Sequence, residues 1–196
     1  MKELAGKGKL SDFANVYNYY GLHRTDNGWT FREWAPNATD IYIVGPFNEW
    51  TECEPYRMKR LTDGNWEINL PERAMAHGDL FKLHVHWNGG WGERIPAYAT
   101  RVVQDDTTKI FSAQVWSPEK PYEFKVHDFV PTVDPLLIYE CHIGMAQNKG
   151  AVGSYEEFRT EVLPRIVKLG YNAIQIMAIQ EHPYYGSFGY HVSSFY

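Results

Sequence analysis

Hydrophobic and polar residues alternate with a period of two in the first half of the chain. The clearest runs cover residues 66–70 and 81–87, and residues 41–44 form a third short apolar run that ends at Gly45-Pro46. This alternation is typical of strands that have one face in a core and the other in solvent. Turn-forming residues separate the runs, at Asn27-Gly28, Asp63-Gly64-Asn65 and Asn88-Gly89-Gly90. The pattern predicts an antiparallel β-sandwich over residues 26–117.

The pattern changes after residue 135, where apolar runs of a different kind begin. Residues 137–143 form a short, largely apolar run that predicts a strand, and residues 173–179 predict a second strand apolar enough to be buried on both faces, as in parallel sheets. Ser154 and Glu157 have the spacing of a capping box at the start of a helix. The helix between the two runs places apolar residues on one face and ends at Gly170; these are Phe158, Val162, Ile166 and Leu169. Pro164 lies inside the helix and predicts a kink or a late helix start.

Prolines mark the boundary between the two patterns. Residues 118–135 contain Pro118, Pro121, Pro131 and Pro135, and proline stiffens the chain without donating to a sheet, so we expect a linker here. Residues 1–25 are expected to form a lead-in with a short helix around residues 10–20. Residues 136–196 are then a strand–helix–strand, or βαβ, unit.

One βαβ unit cannot cover its own apolar faces, because parallel sheets are normally covered on both sides. We therefore expect this chain to be the front part of a longer protein. The same exposed surface makes self-association of the unit an expectation.

Aromatic residues are unusually frequent: 7 Trp, 14 Tyr and 10 Phe, or 16% of the chain. Exposed rings bind flat amphipathic partners such as sugars and bases, although most rings in a sandwich fill its core. The net charge of -5 and the absence of a polybasic run favour sugars over nucleic acid.

The sequence also bears on compartment and cofactors. Cys53 and Cys141 are too few and too far apart for a disulfide framework or a metal motif. The start of the chain has no apolar run typical of a signal peptide, and no stretch is long enough to span a membrane. We therefore expect reduced thiols, a cytoplasmic location and no membrane partner.

His84 and His86 point the same way on a strand, but no third ligand has suitable spacing, so we expect no metal and no cofactor.

Several motifs, in order, resemble the glycogen (1,4-α-glucan) branching enzymes. In the second half these are LPRI at 163–166, LGYN at 169–172 and MAIQEHPYYGSFGY at 177–190. In the first half, other motifs resemble the starch-binding module of those enzymes, of carbohydrate-binding family 48; these are EWAPNA at 33–38, GPFNEW at 45–50, DGNWE at 63–67 and RIPAY at 94–98. The resemblance extends over nearly the whole chain.

The resemblance implies a mainly β chain, an immunoglobulin-like β-sandwich followed by the first βαβ unit of an α-amylase-type (β/α)8 barrel that is incomplete here. It implies a retaining transfer of an α-1,4-glucan segment to a 6-hydroxyl, with an Asp nucleophile and a Glu acid/base. In the family those carboxylates and a further Asp lie on barrel strands four, five and seven, so this chain contains no catalytic residue and is expected to be inactive alone. The alternative is a stand-alone glucan-binding module without catalysis. Debranching and trehalose-forming relatives also carry such sandwiches.

The same resemblance indicates substrate-binding residues for α-1,4-glucans such as glycogen, amylose and maltooligosaccharides. Trp50, Lys82 and Trp91 are expected on a sugar-binding face, where indole rings stack on glucose and the ammonium donates to hydroxyls. Glu49 departs from the family pattern, which often has Gly there. A second set of glucan contacts comprises Trp34, Pro36, Thr62, Asp63, Gly64 and Asn65. Tyr190 corresponds to a barrel tyrosine that stacks on the glucose next to the scissile bond.

Overall fold

The structure, a computed structural model, describes residues 14–131 and 135–195. The chain divides into two compact units, residues 1–121 with 194–196, and residues 122–193. The division falls within the proline-rich stretch 118–135, whose described residues form no helix or strand. No helix in the described ranges has both the length and the apolar character needed to cross a bilayer.

The first unit is a sandwich of two antiparallel sheets. Its described strands are β1 (Gly21–Thr25), β2 (Gly28–Trp34), β3 (Ala38–Val44), β4 (Lys59–Arg60), β5 (Asn65–Pro71), β6 (Leu80–Trp87), β7 (Gly90–Arg94), β8 (Val102–Gln104) and β9 (Phe111–Gln114). One sheet has the order β1-β2-β5-β4. The other has the order β3-β6-β9-β8, with β7 also paired to β6. The predicted β-sandwich is confirmed.

Large apolar side chains from both sheets form the core between them. Phe31 of β2 and Ile41 and Ile43 of β3 are completely buried, and Leu83 of β6 is 1% exposed. The rings of Phe31 and Phe81 meet edge to face across the core, with centroids 6.1 Å apart. The alternation in β5 and β6 therefore correctly indicated which side chains face inward.

The start of the sandwich differs from the expectation for residues 1–25. Gly21–Thr25 is strand β1 and pairs with β2 along its whole length, so the lead-in contains an edge strand. Its mostly polar residues gave no alternation, because an edge strand over solvent needs few apolar residues. Residues 10–13 of the helix expected around residues 10–20 lie outside the described residues. The part that is described contains only a short 3-10 turn, Val16–Asn18.

The second unit contains the predicted βαβ arrangement. Strands β10 (Ile138–Cys141) and β11 (Ala173–Ile176) pair in parallel. Between them lie helix α1 (Tyr155–Glu157), a π-helical turn (Phe158–Val162) and helix α2 (Leu163–Lys168).

The helical segment begins at the predicted capping box. The Ser154 hydroxyl accepts from the backbone N–H of Glu157 at 3.2 Å, and a Glu157 carboxylate oxygen accepts from the Ser154 N–H at 2.9 Å. The irregularity expected at Pro164 takes the form of the π-helical turn directly before it. Proline has no N–H, so the helix already lacks one backbone hydrogen bond at Pro164. The wider π-helical turn before Pro164 therefore does not remove an additional hydrogen bond.

Three details of the second unit differ from the sequence predictions. The second strand ends at Ile176 rather than at residue 179, because Ala178 has a left-handed backbone (φ +50) that no regular strand adopts. β11 is also not buried on both faces, since Ile176 is 41% exposed. Leu169, expected on the buried helix face, is 72% exposed, whereas Phe158 and Ile166 are buried as expected.

The second unit leaves much apolar surface exposed, as expected for a lone βαβ unit. Its small core contains Cys141, Ile143, Phe158 and Ile166. Other large apolar side chains are 41–72% exposed in this unit: Leu136, Leu137, Ile138, Val167, Leu169, Ile176 and Ile179. Cys141 and Cys53 are both free thiols.

Candidate functional site

Strand β6 presents a row of polar side chains on the outer face of its sheet. Phe81 and Leu83 point into the core, so Lys82, His84 and His86 point outward. The hairpin partner β7 brings Glu93 opposite His84 and Trp91 opposite His86.

Trp50 is brought to this face by a turn after β3 with unusual backbone geometry. Glu49 and Trp50 both have left-handed backbones, with φ of 56° and 58°. A left-handed conformation costs an L-residue about 1–2 kcal/mol, which explains why glycine suits position 49 in the family pattern. Asn48 stabilises the turn, since its side-chain amide donates to the Ile43 carbonyl and its oxygen accepts from the Gly45 N–H, both at 2.9 Å.

Lys82 links the Trp50 ring to β7. Its Nζ lies 6.0 Å from the centre of the Trp50 ring and 2.5 Å from Glu93 Oε2. The Lys82 side chain is only 10% exposed, while Trp50 is 37% exposed. Lys82 is therefore on the outer face, as predicted, but only the end of its side chain is accessible.

Trp91 lies on the two imidazoles of β6. Its ring centre is 4.9 Å from that of His84 and 6.1 Å from that of His86, and the ring is 56% exposed. Trp50, Lys82 and Trp91 thus share one face, and we call these three residues the platform. Two exposed indoles around an ammonium form a surface that can stack on sugar rings and donate to their hydroxyls.

The sequence analysis did not identify the polar contacts that lie between the Trp50 and Trp91 indoles. Glu52 Oε1 contacts His84 Nδ1 at 3.0 Å and His86 Nε2 at 2.8 Å. The same His84 faces Glu93, with its Nε2 3.7 Å from Oε1. The alternation did place both histidines on the outer face, but no local pattern connects them to Glu52, which lies in a loop. No group of three His, Cys, Asp or Glu side chains in residues 14–131 and 135–195 has the arrangement of a metal site.

Replacing Glu93 with glutamine is expected to make stability less dependent on pH. The hydrogen bond from Lys82 lowers the pKa of the Glu93 carboxyl from its ordinary value of 4.5. A lowered carboxyl pKa stabilises the fold above the unfolded-state pKa, and this stabilisation disappears as the pH falls through the folded-state value. Because Glu93 is half exposed, we expect a loss of about 1 kcal/mol or less at pH 7.

Urea unfolding of wild type and Glu93→Gln at pH 7 and pH 3 measures this difference. The difference between the two proteins should be largest at pH 7 and smaller at pH 3. A difference that is equal at both pH values would contradict the role of the ionised carboxylate.

A second cluster forms where β2 and β5 end together. Trp34 pairs with Asn65 across the strands, and its ring is 57% exposed. The indole N–H of Trp34 donates to the Asp63 carbonyl at 3.0 Å. Gly64 (φ +79) packs so closely on Pro36 that a Cβ at Gly64 would lie 2.7 Å from Pro36 Cα.

The turn beneath this cluster is closed by its own polar groups. The Asn65 amide donates to the Thr62 carbonyl at 2.9 Å, and the Tyr20 hydroxyl donates to Asn65 Oδ1 at 2.6 Å. All six residues predicted as the second set of glucan contacts therefore lie together, and Tyr20 is an addition that the sequence did not indicate. The binding roles of these residues remain predictions.

A buried carboxylate supports the base of Trp34. Glu33 is 7% exposed and accepts from the backbone N–H groups of Trp34 at 2.9 Å and Ala97 at 3.1 Å. Burial raises the pKa of Glu33 above its ordinary value, although these two hydrogen bonds oppose the rise. Glu33 thus connects the second cluster to the segment before β8.

In the second unit, Tyr190 presents an exposed ring, as expected, in the segment after β11. The ring is 67% exposed, and its hydroxyl lies 3.6 Å from Met177 Sδ. The preceding Gly189 has a left-handed backbone (φ +83), and a Cβ there would lie 2.6 Å from the Ala178 carbonyl oxygen. Its stacking role remains a prediction.

Comparison with known proteins gives the family of the first unit. Residues 19–99 match the model of carbohydrate-binding module 48, the isoamylase N-terminal domain. This range begins near β1 and includes Trp50, Lys82 and Trp91.

Curated relatives match almost the whole chain. A 1,4-alpha-glucan-branching enzyme of Yarrowia lipolytica is 44% identical over 98% of this chain, and one of Dictyostelium discoideum is 38% identical over 97%. A chloroplastic/amyloplastic 1,4-alpha-glucan-branching enzyme 2-2 of Arabidopsis thaliana is 42% identical over 97%. The chain spans 29% of the length of the first two relatives and 24% of the third.

Solved structures show the same fold at low identity. The catalytic module of the multi-modular glycogen-degrading pneumococcal virulence factor SpuA matches with a TM-score of 0.61 at 18% identity, over 92% of this chain and 28% of that one. Pullulanase type I of Bacillus subtilis, complexed with maltose, matches with a TM-score of 0.59 at 18% identity, over 83% of this chain and 24% of that one. The chain is therefore similar over nearly its whole length to 1,4-alpha-glucan-branching enzymes, spans less than a third of the length of these relatives, and matches carbohydrate-binding module 48 at residues 19–99.

Proposed function

We propose that this chain is the glucan-binding segment of a 1,4-α-glucan branching enzyme. The observation that carries the proposal is the platform, where a turn after β3, strand β6 and strand β7 bring Trp50, Lys82 and Trp91 to one face. The chain shares motifs with branching enzymes, and the three branching enzymes named above match 97–98% of its length. Both observations support the same proposal.

The chemistry of the platform suits an α-1,4-glucan such as glycogen, amylose or a maltooligosaccharide. The apolar face of a glucose ring matches an exposed indole in size and flatness, and neighbouring ammonium and carboxylate groups can pair with its hydroxyls. The net charge of -5 gives no support to a polyanionic ligand such as nucleic acid.

The activity of the full-length protein is proposed as a retaining transfer. A carboxylate nucleophile takes a segment of an α-1,4-glucan as a covalent glycosyl-enzyme, and a second carboxyl group acts first as acid and then as base. The acceptor is a glucan 6-hydroxyl in place of water. The family resemblance assigns these groups to barrel strands four, five and seven, so this segment contributes binding and the first βαβ unit, with Tyr190 next to the scissile bond. Glycogen synthesis in the cytoplasm is the corresponding pathway and location.

Exposed apolar side chains argue against the alternative, a stand-alone binding module. Val167 and Leu169 of the second unit are 61% and 72% exposed, and several residues of its strands are exposed as well. Exposed apolar side chains in this number favour a role for other elements in covering them. For the full-length protein, loss of iodine colour from amylose without new reducing ends supports branching, whereas new reducing ends support debranching.

Replacing Trp91 with alanine is expected to weaken binding of maltoheptaose to the chain by about 30-fold, as removal of an aromatic hot spot costs about 2 kcal/mol. The measurement is isothermal titration calorimetry on the 196-residue chain. Trp116→Ala is the matched control, because Trp116 is 49% exposed but lies in neither cluster. Equal binding by wild type and Trp91→Ala would contradict the proposed site.

A further inference from the structure

Glu52 connects two imidazoles that lie beneath the Trp91 ring. Its Oε1 is 3.0 Å from His84 Nδ1 and 2.8 Å from His86 Nε2. A carboxylate only accepts hydrogen bonds, so both of these ring nitrogens must carry a proton. One oxygen therefore fixes the tautomer and the ring orientation of both histidines.

The orientation of the two imidazoles determines where Trp91 can lie. The Trp91 ring is nearly parallel to that of His86, at 25°, and tilted by 46° to that of His84. More than half of the Trp91 ring is exposed, so the imidazoles are its main support on the sheet side. If either histidine turned, the indole would lose part of the surface on which it rests.

The imidazoles of His84 and His86 become positively charged when they are protonated, and the surrounding charged groups show that Glu52 is then their shared counter-charge. On β7, Glu93 Oε1 lies 3.7 Å from His84 Nε2, and on β6 the Lys82 ammonium is bound to the same Glu93. On β3, Tyr42 is opposite His84 and its ring is 5.9 Å from that of His86, while Asp40 is opposite His86 and its carboxylate is paired with Arg57. Of the groups facing His86, only Glu52 supplies a carboxylate within 4 Å in the described residues.

Two imidazolium groups at alternate positions of one strand would repel each other without a shared counter-charge. Glu52 supplies that charge to both, whereas a neutral amide would supply only an acceptor. The geometry thus separates two contributions of the ionised Glu52 carboxylate: it accepts a hydrogen bond from each imidazole, and it supplies a counter-charge when the imidazoles are protonated.

We infer that Glu52 is a positioning residue for the glucan site, holding Trp91 in its binding orientation through His84 and His86, whether the imidazoles are neutral or protonated. This inference depends on the proposed glucan binding by the platform. It assigns Glu52 a role in affinity although it is not one of the stacking residues.

The test measures maltoheptaose affinity of the full chain by calorimetry at pH 8 and pH 5.5. Glu52→Ala removes both the acceptor and the charge, and we expect about tenfold weaker binding at pH 8. Glu52→Gln keeps an acceptor oxygen, so we expect affinity within about twofold of wild type at pH 8 and about tenfold weaker binding than wild type at pH 5.5. Glu54→Gln is the matched control, because Glu54 lies two residues away, is 77% exposed and pairs with Arg57.

Thermal unfolding of each variant shows whether the sandwich is intact, and near-UV circular dichroism reports the environment of the tryptophans. Equal affinity of Glu52→Ala and wild type at pH 8 would overturn the inference while leaving the platform intact. If Glu52→Gln weakened maltoheptaose binding by the same factor at pH 8 and pH 5.5, the inference would also be overturned. A positioning role through the imidazoles requires the affinity difference between Glu52→Gln and wild type to be larger at pH 5.5. If the wild-type chain binds no maltoheptaose at either pH, the proposed function itself fails, and the inference fails with it.

Discussion

Phe31→Ala is expected to destabilise the first unit by about 3–5 kcal/mol, the cost of removing a buried phenylalanine from a core. Phe31 is completely buried and packs edge to face on Phe81, so its removal leaves a cavity between the two sheets. Urea unfolding followed by tryptophan fluorescence measures the loss.

Phe124→Ala is the matched control for this prediction. Phe124 is 73% exposed, and its replacement is expected to change stability by less than about 0.5 kcal/mol. A loss of under about 1 kcal/mol for Phe31→Ala would mean that the core between the sheets is loosely packed.

Hydrogen exchange is expected to differ strongly between the two units of a monomeric chain. Strand β6 lies inside its sheet over a continuous core, paired with β3 on one side and with β7 and β9 on the other, so its amides should exchange through global unfolding. Amides of β10 and β11 lie over a small core beside exposed apolar side chains, so they should exchange at least about 10³-fold faster. Mass spectrometry of peptic fragments after deuterium labelling resolves these segments.

The control for this prediction is the same hydrogen-exchange measurement at low chain concentration. The exposed apolar side chains of the second unit favour self-association, which would protect the amides of β10 and β11 at high chain concentration and not at low concentration. Equal protection of both units at a concentration where sedimentation shows only monomer would contradict the prediction.

The fold was predictable where a strand buries one face, because apolar and polar residues then alternate along the sequence. β5 and β6 each have one face in the core, and their alternation located them correctly, whereas β3 was located by the short apolar run at residues 41–44. Edge strand β1 has little to bury, so its residues have no period to detect. The second strand of the βαβ unit was predicted too long, because the left-handed backbone of Ala178 ends it and apolar composition does not indicate φ.

The candidate site was predictable only in part. The indoles and the lysine of the platform came from family resemblance, and the alternation in β6 correctly placed Lys82 outward. The bridge from Glu52 to His84 and His86 joins a loop to a strand across more than 30 positions, so only tertiary structure shows it. The Tyr20 contact with Asn65 was missed for the same reason.

The strained turn that carries Trp50 has a thermodynamic consequence for ligand capture. Its backbone is held by hydrogen bonds around Asn48 and by the Trp50 N–H, which donates to the Gly45 carbonyl at 2.8 Å. The folding free energy of the sandwich has thus already offset the cost of the left-handed residues before any sugar arrives. An indole preorganised in this way loses little conformational entropy on association, so more of its stacking energy is available as affinity.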